Sequence, residues 1–524
     1  MTRKVNPKTA ATLARLSELL APNTRWQRSL WSVSSTFLIA ELLDACSPPQ
    51  SQTLSDASQR VILDACKKEI GKDPAIPALE KGALNQHMNK PPNPSGSAFH
   101  ALAQLRRRID DDYLMRWAQL FQAGNGGSAE RAARSIAMHL LDRGFSETYL
   151  STWLSGKSGT IVDDAGLAQL CVDAHDELAS TKPKSFTLLF LFRTPMPTQV
   201  GLPENWLESS HAIAEWLKAN AFSTEGVRAP AGITLKVDAR DKFSALELGS
   251  ALIDSYVARA SMATGKLLEP LPTVWIEGDT SSPFIYARRS RGVKVAALHR
   301  QDQIFAQRAN SNVDAAIELL SHLQHSSPSA AIAGGWAAVE SLLGEPGDRA
   351  AAADNLASLV ACSIPRAELT SLSYAVAKAD GAMAMAMNGM LNRERAAFIA
   401  DLIKANTPLP LIRPSDLAAI QRLQNFFQDP SGCLLGLQRS IAQAFHRLYR
   451  QRNHILHGGI TSSIALAPTL RTSARLAGAG IDRVAHGLYA DGMTPLELAA
   501  RARLAIALAQ PTMDTASLVS LLGT

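Results

Sequence analysis

Apolar positions recur every three or four residues over most of the chain, which is the period of α-helices that bury one face. Before residue 181, this period predicts helices near 7–21, 25–45, 54–70, 99–123 and 128–142. Polar or proline-rich breaks separate these segments, and the clearest break covers residues 90–97. We therefore predict a helical N-terminal region over residues 1–180.

The period changes between residues 181 and 300. Residues 185–193, Ser-Phe-Thr-Leu-Leu-Phe-Leu-Phe-Arg, form a short apolar run of β-forming residues between proline-containing breaks, which predicts a buried strand. Further strands are predicted at 232–238, 273–277 and 284–288, with helices near 203–221 and 243–262. This section is predicted to be a small central α/β domain.

The helical period returns over residues 301–524. The predicted helices cover 312–324, 328–343, 350–364, 368–377, 384–404, 415–427, 434–456, 462–478 and 494–508. The predicted fold is therefore mainly α, with a helical N-terminal region, a central α/β domain and a C-terminal helical bundle.

The composition narrows the class of protein. With 46% apolar and 19% charged residues in 524, the chain can bury the cores of two or three domains. The five cysteines are scattered, which favours neither a zinc site nor a disulfide framework and fits a reducing cytoplasm. The N-terminus leads into a polar amphipathic segment rather than an apolar signal core, and no apolar run is long enough to span a bilayer, so neither secretion nor membrane insertion is expected.

The net charge leaves the partner open. A charge of +6 and a pI near 9.0 are compatible with binding to nucleic acid. A mild excess spread over this length is equally common in proteins that never contact nucleic acid. The choice between these alternatives therefore depends on local motifs.

Residues 132–153 are predicted to form two helices joined by a turn at Arg143-Gly144, a spacing shared by DNA-binding helix-turn-helix units. The same pattern builds ordinary helical hairpins. The second helix carries Glu147 and has no basic residue before Lys157, which is unfavourable next to DNA. A DNA-binding regulator is kept as the weaker alternative.

The segment that carries the most side chains suited to catalysis is 445–459, a basic helix that ends in two glycines. Asn453 and His457 are four residues apart and share a face, while the long side chain of Arg452 is expected to reach the same pocket. Gly458 and Gly459 can adopt the left-handed conformation that closes a helix.

The spacing of arginine and histidine is weak by itself, since the chain contains a second pair, Arg134 and His139, with the same separation. That pair lies mid-helix among apolar residues and lacks the asparagine. We therefore expect His139 to be a structural histidine with its hydrogen bonds satisfied.

Residues 448–459, Leu-Tyr-Arg-Gln-Arg-Asn-His-Ile-Leu-His-Gly-Gly, resemble the signature of HEPN domains of the Apea-like branch, in which a terminal helix carries Arg-Asn-x-x-x-His followed by glycine. Residues 335–343 resemble the earlier helix of that branch, where an aromatic residue, here Trp336, precedes a glutamate, here Glu340, by four positions. The resemblance covers roughly residues 300–510. It implies that residues 301–524 form a HEPN-like helical domain.

The resemblance also implies a metal-independent endoribonuclease that needs no cofactor, takes RNA as its partner and works as a homodimer through this domain. Attack by the RNA 2′-OH requires proton exchange near neutral pH, for which His457 is suited. It also requires positive charge on the phosphate, for which the planar fork of Arg452 is suited. Asn453 is expected to orient the histidine or the phosphate, and Glu340 to hold Arg452.

The remaining candidates on the same helix are auxiliary. They are His454, which lies one position off the Asn453 face, and Arg447 and Arg450, which are expected to contact RNA. No metal ligand is predicted at the site.

Two hypotheses follow for the whole protein. The first is an RNA-cleaving bacterial toxin or antiviral defence protein, of the kind that causes abortive infection, with a trigger sensed by the N-terminal region. The second is a non-catalytic RNA-binding or sensing protein that uses the HEPN-like domain to dimerise. In the second case the histidine before glycine is a helix cap, and Arg452 forms a structural salt bridge with Glu340.

Overall fold

The computed structural model describes residues 6–196, 201–279, 283–285, 290–306 and 311–523. Within these ranges it contains 21 α-helices and five strands. The N-terminal region is helical, as predicted. Its helices are α1 (Pro7–Leu20), α2 (Ser35–Cys46), α3 (Asp56–Lys72), α4 (Ala78–His87), α5 (Ser97–Gln122), α6 (Ala129–Asp142), α7 (Glu147–Ser158) and α8 (Asp164–Ser180), with short 3₁₀ turns at Trp26–Arg28 and Gln50–Gln52.

The prediction of one helix over residues 25–45 is wrong. The chain makes the 3₁₀ turn Trp26–Arg28 and then runs extended until Ser34, whose side chain accepts the Phe37 N–H and begins α2. Trp31, in the extended part, packs into the core of the C-terminal helices. This long-range burial outweighs the local helical period.

The central section forms one antiparallel sheet with helices packed on its two faces. Its elements are β1 (Lys184–Phe192), β2 (Trp206–Leu207), α9 (Ser210–Ala219), β3 (Ala231–Ala239), α10 (Lys242–Thr264), β4 (Pro270–Ile276) and β5 (Phe284–Ile285). The strand order is β2-β3-β1-β4-β5. Leu188 and Phe190 of β1 face α10, and Leu189 and Leu191 face α9 on the opposite side. Both faces of β1 are therefore buried, as its continuous apolar run predicts.

Several boundaries in this section differ from the predicted ones. Part of the helix predicted over 203–221 is the short strand β2. Residues 286–288 of the predicted last strand lie outside the described residues. Residues 290–300, assigned to the central domain from the sequence, pack on the C-terminal helices, since Val293 and Ala297 belong to their core.

The C-terminal region is a helical bundle. Its helices are α11 (Ala297–Arg300), α12 (Asn312–His325), α13 (Pro328–Leu343), α14 (Ala351–Ala379), α15 (Gly381–Ala386), α16 (Asn392–Lys404), α17 (Pro414–Gln428), α18 (Pro430–Gly458), α19 (Leu466–Asp491), α20 (Pro495–Leu508) and α21 (Thr515–Val519). The long helices α14 and α18 pack against each other at its centre. Trp336 and Phe445 are its largest fully buried side chains.

Three predicted helix boundaries in the bundle are wrong, and one of them is the end of α19, predicted at residue 478 and found at Asp491. The sequence predicts a break near Pro365, but α14 continues through it, because Leu359 and Leu369 on either side are fully buried and packing outweighs one missing hydrogen bond. The single helix predicted over 384–404 is instead interrupted before α16, where Gly389 has a φ of +76°. In the parts of the chain that the structure describes, no helix combines the length and apolar character needed to cross a membrane.

The N-terminal and C-terminal regions share a buried charge network. Arg28 pairs with Glu18 of α1 at 3.0 Å and with Glu368 of α14 at 2.7 Å. Arg422 of α17 pairs with the same two carboxylates, at 3.3 and 3.0 Å. The two helical regions therefore pack directly on each other although the sheet separates them in sequence.

Candidate functional site

Helix α18 carries the candidate residues and ends at the glycines that the sequence predicts. The helix begins at Pro430, four residues before the predicted start, and Asp429 caps it by accepting the Gly432 N–H at 2.9 Å. Gly459, with a φ of +63°, ends it. Ile441, Phe445 and Leu448 are buried and fix the rotation of the helix, which decides which polar residues of its last turns face solvent.

Arg452 lies between Glu340, its predicted partner, and Asn453, which the sequence instead predicts to orient the histidine or the phosphate. Its Nη2 lies 3.5 Å from Oε2 of Glu340, on α13, and its Nη1 donates to Oδ1 of Asn453 at 3.0 Å. The side chains of Arg452 and Glu340 each keep 17% of their surface exposed. The Nε of Arg452 is buried and has no hydrogen-bond partner among the described residues. The structure thus brings together Arg452, Asn453 and Glu340.

Glu340 makes two further contacts that fix its carboxylate. Its Oε2 accepts the Trp336 indole N–H at 2.5 Å, and its Oε1 pairs at 3.2 Å with the largely exposed Arg349. Trp336 is fully buried, and its ring packs against Tyr449 with the centroids 4.9 Å apart. Two guanidinium groups face one carboxylate here, so the site carries an excess of positive charge.

His457 lies apart from this group. It is exposed on the last turn of α18, and within the described ranges it makes no hydrogen bond or ion pair with Arg452, Asn453 or Glu340. Five residues along an α-helix correspond to a rotation of about 500°, so His457 points about 140° away from Arg452. The expected shared pocket is not formed within one chain.

Arg447 and Arg450 face the N-terminal region. Both are buried and share the carboxylate of Glu41, on α2, with N–O distances of 2.9 to 3.1 Å. Burial alone would raise the pKa of Glu41, but the two guanidinium groups outweigh it and lower that pKa to about 2. Burial lowers the pKa of Arg450. Neither arginine is available to RNA in this structure, which corrects the expectation that they contact it.

His454 is also buried on this side. Its Nδ1 lies 2.7 Å from Oγ1 of Thr53, and only 2% of the residue is exposed. Burial, with a smaller contribution from the Arg450 charge, lowers the pKa of His454 to about 4. The imidazole is therefore neutral near pH 7 and out of reach of a substrate. This corrects its predicted auxiliary role at the site.

The helix-turn-helix predicted at 132–153 is present as α6 and α7, with Gly144 at a φ of +95° in the turn. The start of α7 is covered, because the Ser146 N–H and hydroxyl both donate to Asp241 at the start of α10. A recognition helix contacts bases with its N-terminal residues. The geometry therefore offers no support for the DNA-binding alternative.

His139, of the second arginine–histidine pair, is buried as expected and stacks on Tyr113 with the ring centroids 4.7 Å apart. Neither of its ring nitrogens has a hydrogen-bond partner among the described residues. Its hydrogen bonds are thus not satisfied, in contrast to the expectation. Burial lowers its pKa to about 4.

Sequence reasoning missed Glu41, Thr53 and Arg349. A signal existed for Glu41, which is a single acid among apolar residues in the run Phe-Leu-Ile-Ala-Glu-Leu-Leu at 37–43. A carboxylate at such a position requires a buried cation. Nothing local indicates that the first of its cations lies 406 residues later.

No known protein family, curated protein or solved structure matches this chain. The resemblance to HEPN domains therefore depends on residues 335–343 and 448–459. In the described part of the chain, no cluster of three or more His, Cys, Asp or Glu side chains is arranged to hold a metal ion.

Proposed function

We propose that the protein is a metal-independent endoribonuclease of the cytoplasm that works as a homodimer. The observation that carries the proposal is that most hydrogen-bond donors of Arg452 are unused among the described residues. Of the five N–H donors of its guanidinium, only one makes a hydrogen bond among the described residues, to Asn453. Glu340 holds the group at the surface from 3.5 Å away, so its remaining Nη donors, unlike the buried Nε, can bind a phosphate.

The reaction needs few groups. The 2′-OH of RNA attacks the adjacent phosphorus and loses its proton to a base, while the bond from phosphorus to the 5′ oxygen breaks and that oxygen takes a proton. The products are a 2′,3′-cyclic phosphate and a 5′-hydroxyl. Arg452 stabilises the negative charge that grows on the non-bridging oxygens, and the exposed His457 exchanges the proton.

A second copy of the chain completes this arrangement. Arg452 and His457 point about 140° apart on α18, so one chain does not enclose a phosphate between them. A twofold axis near the end of α18 places His457 of one protomer opposite Arg452 of the other. The exposed Leu456, which is 54% accessible, lies beside His457 and is available for that interface.

RNA cleavage by the full-length protein in EDTA tests the proposal. We expect His457→Ala and Arg452→Ala each to lower the cleavage rate at least about a hundredfold, which is the usual effect of removing an acid–base or charge-stabilising group. The matched controls are His446→Ala and Arg439→Ala, which remove the same residue types from other positions of α18. Cleavage that survives His457→Ala, or that is lost equally in the controls, contradicts the assignment.

A non-catalytic RNA-binding protein is the second candidate, and the separation of His457 from Arg452 within one chain favours it. In that case the protein binds RNA with a strong dependence on salt but does not cleave it. Arg452→Ala then weakens binding, while His457→Ala leaves it unchanged. Filter binding at two salt concentrations, with the same four variants, separates the candidates.

The biological role that we propose is a toxin or antiviral effector that acts on cellular RNA. Expression of the wild type in bacteria is then expected to slow growth, and the Arg452→Ala/His457→Ala double variant to relieve this effect. The growth rates of the two cultures at equal protein levels provide the measurement. Equal rates contradict toxicity in the absence of a trigger.

A further inference from the structure

Three residues of α18 that precede His457 on its face are bound by the N-terminal region, while Asn453, which also shares that face, contacts Arg452. Residues at steps of three and four form one stripe along this face of the helix, and its members are Arg447, Arg450, His454 and His457. The first three members are buried against Glu41 and Thr53. His457 is thus the exposed end of a stripe that another part of the chain holds.

The chain is tied on both sides of His457. Before it, Thr53 lies 2.7 Å from the Nδ1 of His454, and after it the Ser463 hydroxyl donates to Asp44 at 3.1 Å. Thr53 and Asp44 belong to the same part of the N-terminal region, the end of α2 and the turn that follows it. The last turn of α18 is thus held from both directions.

Gly458, directly after His457, shows how close this approach is. A methyl group added at its Cα would overlap Cγ2 of Thr53. A larger residue at this position therefore requires the Thr53 methyl group, and the nearby Ile460 side chain, to move. The sequence at the end of α18 is adapted to the N-terminal region as well as to helix termination.

We propose that Glu41 and Thr53 are positioning residues for His457. They fix the last two turns of α18, and through them the direction in which the imidazole projects. The proposal rests on the proposed function, since the position of His457 matters for activity only if His457 exchanges the proton. It also means that a change in the N-terminal region reaches the site through direct contacts.

The charge of Glu41 is the main interaction between the N-terminal region and this face of α18. Without it, the two buried guanidinium groups of Arg447 and Arg450 lack a counter-charge and separate towards solvent. A misplacement of reacting groups by about 1 Å can slow a reaction about a hundredfold. Loss of the contacts that Glu41 and Thr53 make with α18 is therefore expected to affect the chemical step more than RNA binding, because Arg452 keeps its contact with Glu340 on the other side of the helix.

Hydrogen–deuterium exchange and cleavage kinetics of the full-length protein test the proposal with Glu41→Gln and Thr53→Val. Both variants are expected to speed exchange in residues 452–460 and to lower kcat at least about tenfold, with KM changed by less than about twofold. Thr53→Ser, which keeps the hydroxyl that meets His454, is expected to retain wild-type kcat.

Glu368→Gln is the matched control. Glu368 is also a buried carboxylate that joins two arginines of different regions, Arg28 and Arg422, but neither of these arginines lies on α18. This variant is expected to leave exchange at 452–460 and kcat unchanged. An equal loss of kcat in Glu368→Gln shows general loosening and overturns the proposal.

The two proposals fail in different ways. If the wild type cleaves no RNA, the proposed function fails, while hydrogen–deuterium exchange in residues 452–460 still tests whether Glu41 and Thr53 hold the end of α18. If the wild type cleaves RNA and both Glu41→Gln and Thr53→Val keep wild-type kcat, the positioning role is overturned. If Glu41→Gln does not fold, Thr53→Val with its Thr53→Ser counterpart decides the outcome.

Discussion

The Glu340 carboxylate and the Arg452 guanidinium lie 3.5 Å apart on two different helices. The same carboxylate oxygen accepts the indole N–H of the fully buried Trp336. The buried Trp336 thereby fixes the position of Glu340, and Glu340 in turn holds the partly exposed Arg452. This relationship connects the packing of the bundle to the charge that we propose binds RNA.

Two substitutions of Glu340 separate its contacts. Glu340→Gln keeps an acceptor for the Trp336 indole and is expected to cost less than about 1 kcal/mol of unfolding free energy, since a partly exposed ion pair contributes little. Glu340→Leu leaves the buried N–H unpaired and is expected to cost about 1–3 kcal/mol. Urea unfolding measures both, and equal losses would contradict the role of the indole hydrogen bond.

The buried pairing of Glu41 with Arg447 and Arg450 gives a second prediction. Glu41→Leu leaves two buried cations unpaired and is expected to lower the unfolding free energy by about 3–5 kcal/mol. Replacement of all three residues, as Glu41→Leu/Arg447→Leu/Arg450→Met, is expected to recover most of this loss, because no buried charge remains. Chemical unfolding of the single and triple variants provides the test, and a triple variant less stable than the single one is the contrary result.

The close approach of Gly458 to Thr53 predicts that an added side chain at residue 458 lowers stability. Gly458→Ala is expected to cost about 1–3 kcal/mol, because its methyl group would overlap Cγ2 of Thr53. Adding Thr53→Ser removes that methyl of Thr53 and is expected to restore part of the stability, because the Ile460 side chain still lies 3.0 Å from the added methyl group. Thermal unfolding of the two single variants and the double variant measures the coupling, and strictly additive losses would count against direct contact.

His139 gives a prediction about pH. Its pKa is lowered from 6.5 to about 4 by burial, so between these values the unfolded chain binds more protons than the folded one. Stability therefore falls as the pH falls from 6.5 to 4, by up to about 3 kcal/mol for this residue.

His139→Phe preserves the ring that stacks on Tyr113 and removes the titrating group. The variant is expected to lose less stability than the wild type over the same pH range. His454 titrates in the same direction in both proteins, so the difference between their unfolding free energies isolates His139. Parallel pH profiles for the two proteins would contradict the prediction.

The fold class and most helices could be predicted from the sequence, because each helix carries its own apolar period. The end of α18 could be predicted as well, since glycine acts locally at Gly459. The contact of Glu340 with Arg452 was predicted from two short segments. The helix boundaries near residues 25–45 and at Pro365 were wrong where long-range packing outweighs local preference.

By itself, the sequence determined that a basic helix ends at Gly459 and that Arg447, Arg450 and Arg452 lie close together on it. Only the tertiary structure decided which of these arginines is available. Arg452 meets a partly exposed carboxylate on α13, whereas the other two are buried against Glu41. The physical reason is that burial depends on what packs against each face of the helix. The face that carries Arg447 and Arg450 packs against Glu41, which lies more than 400 residues earlier in the chain.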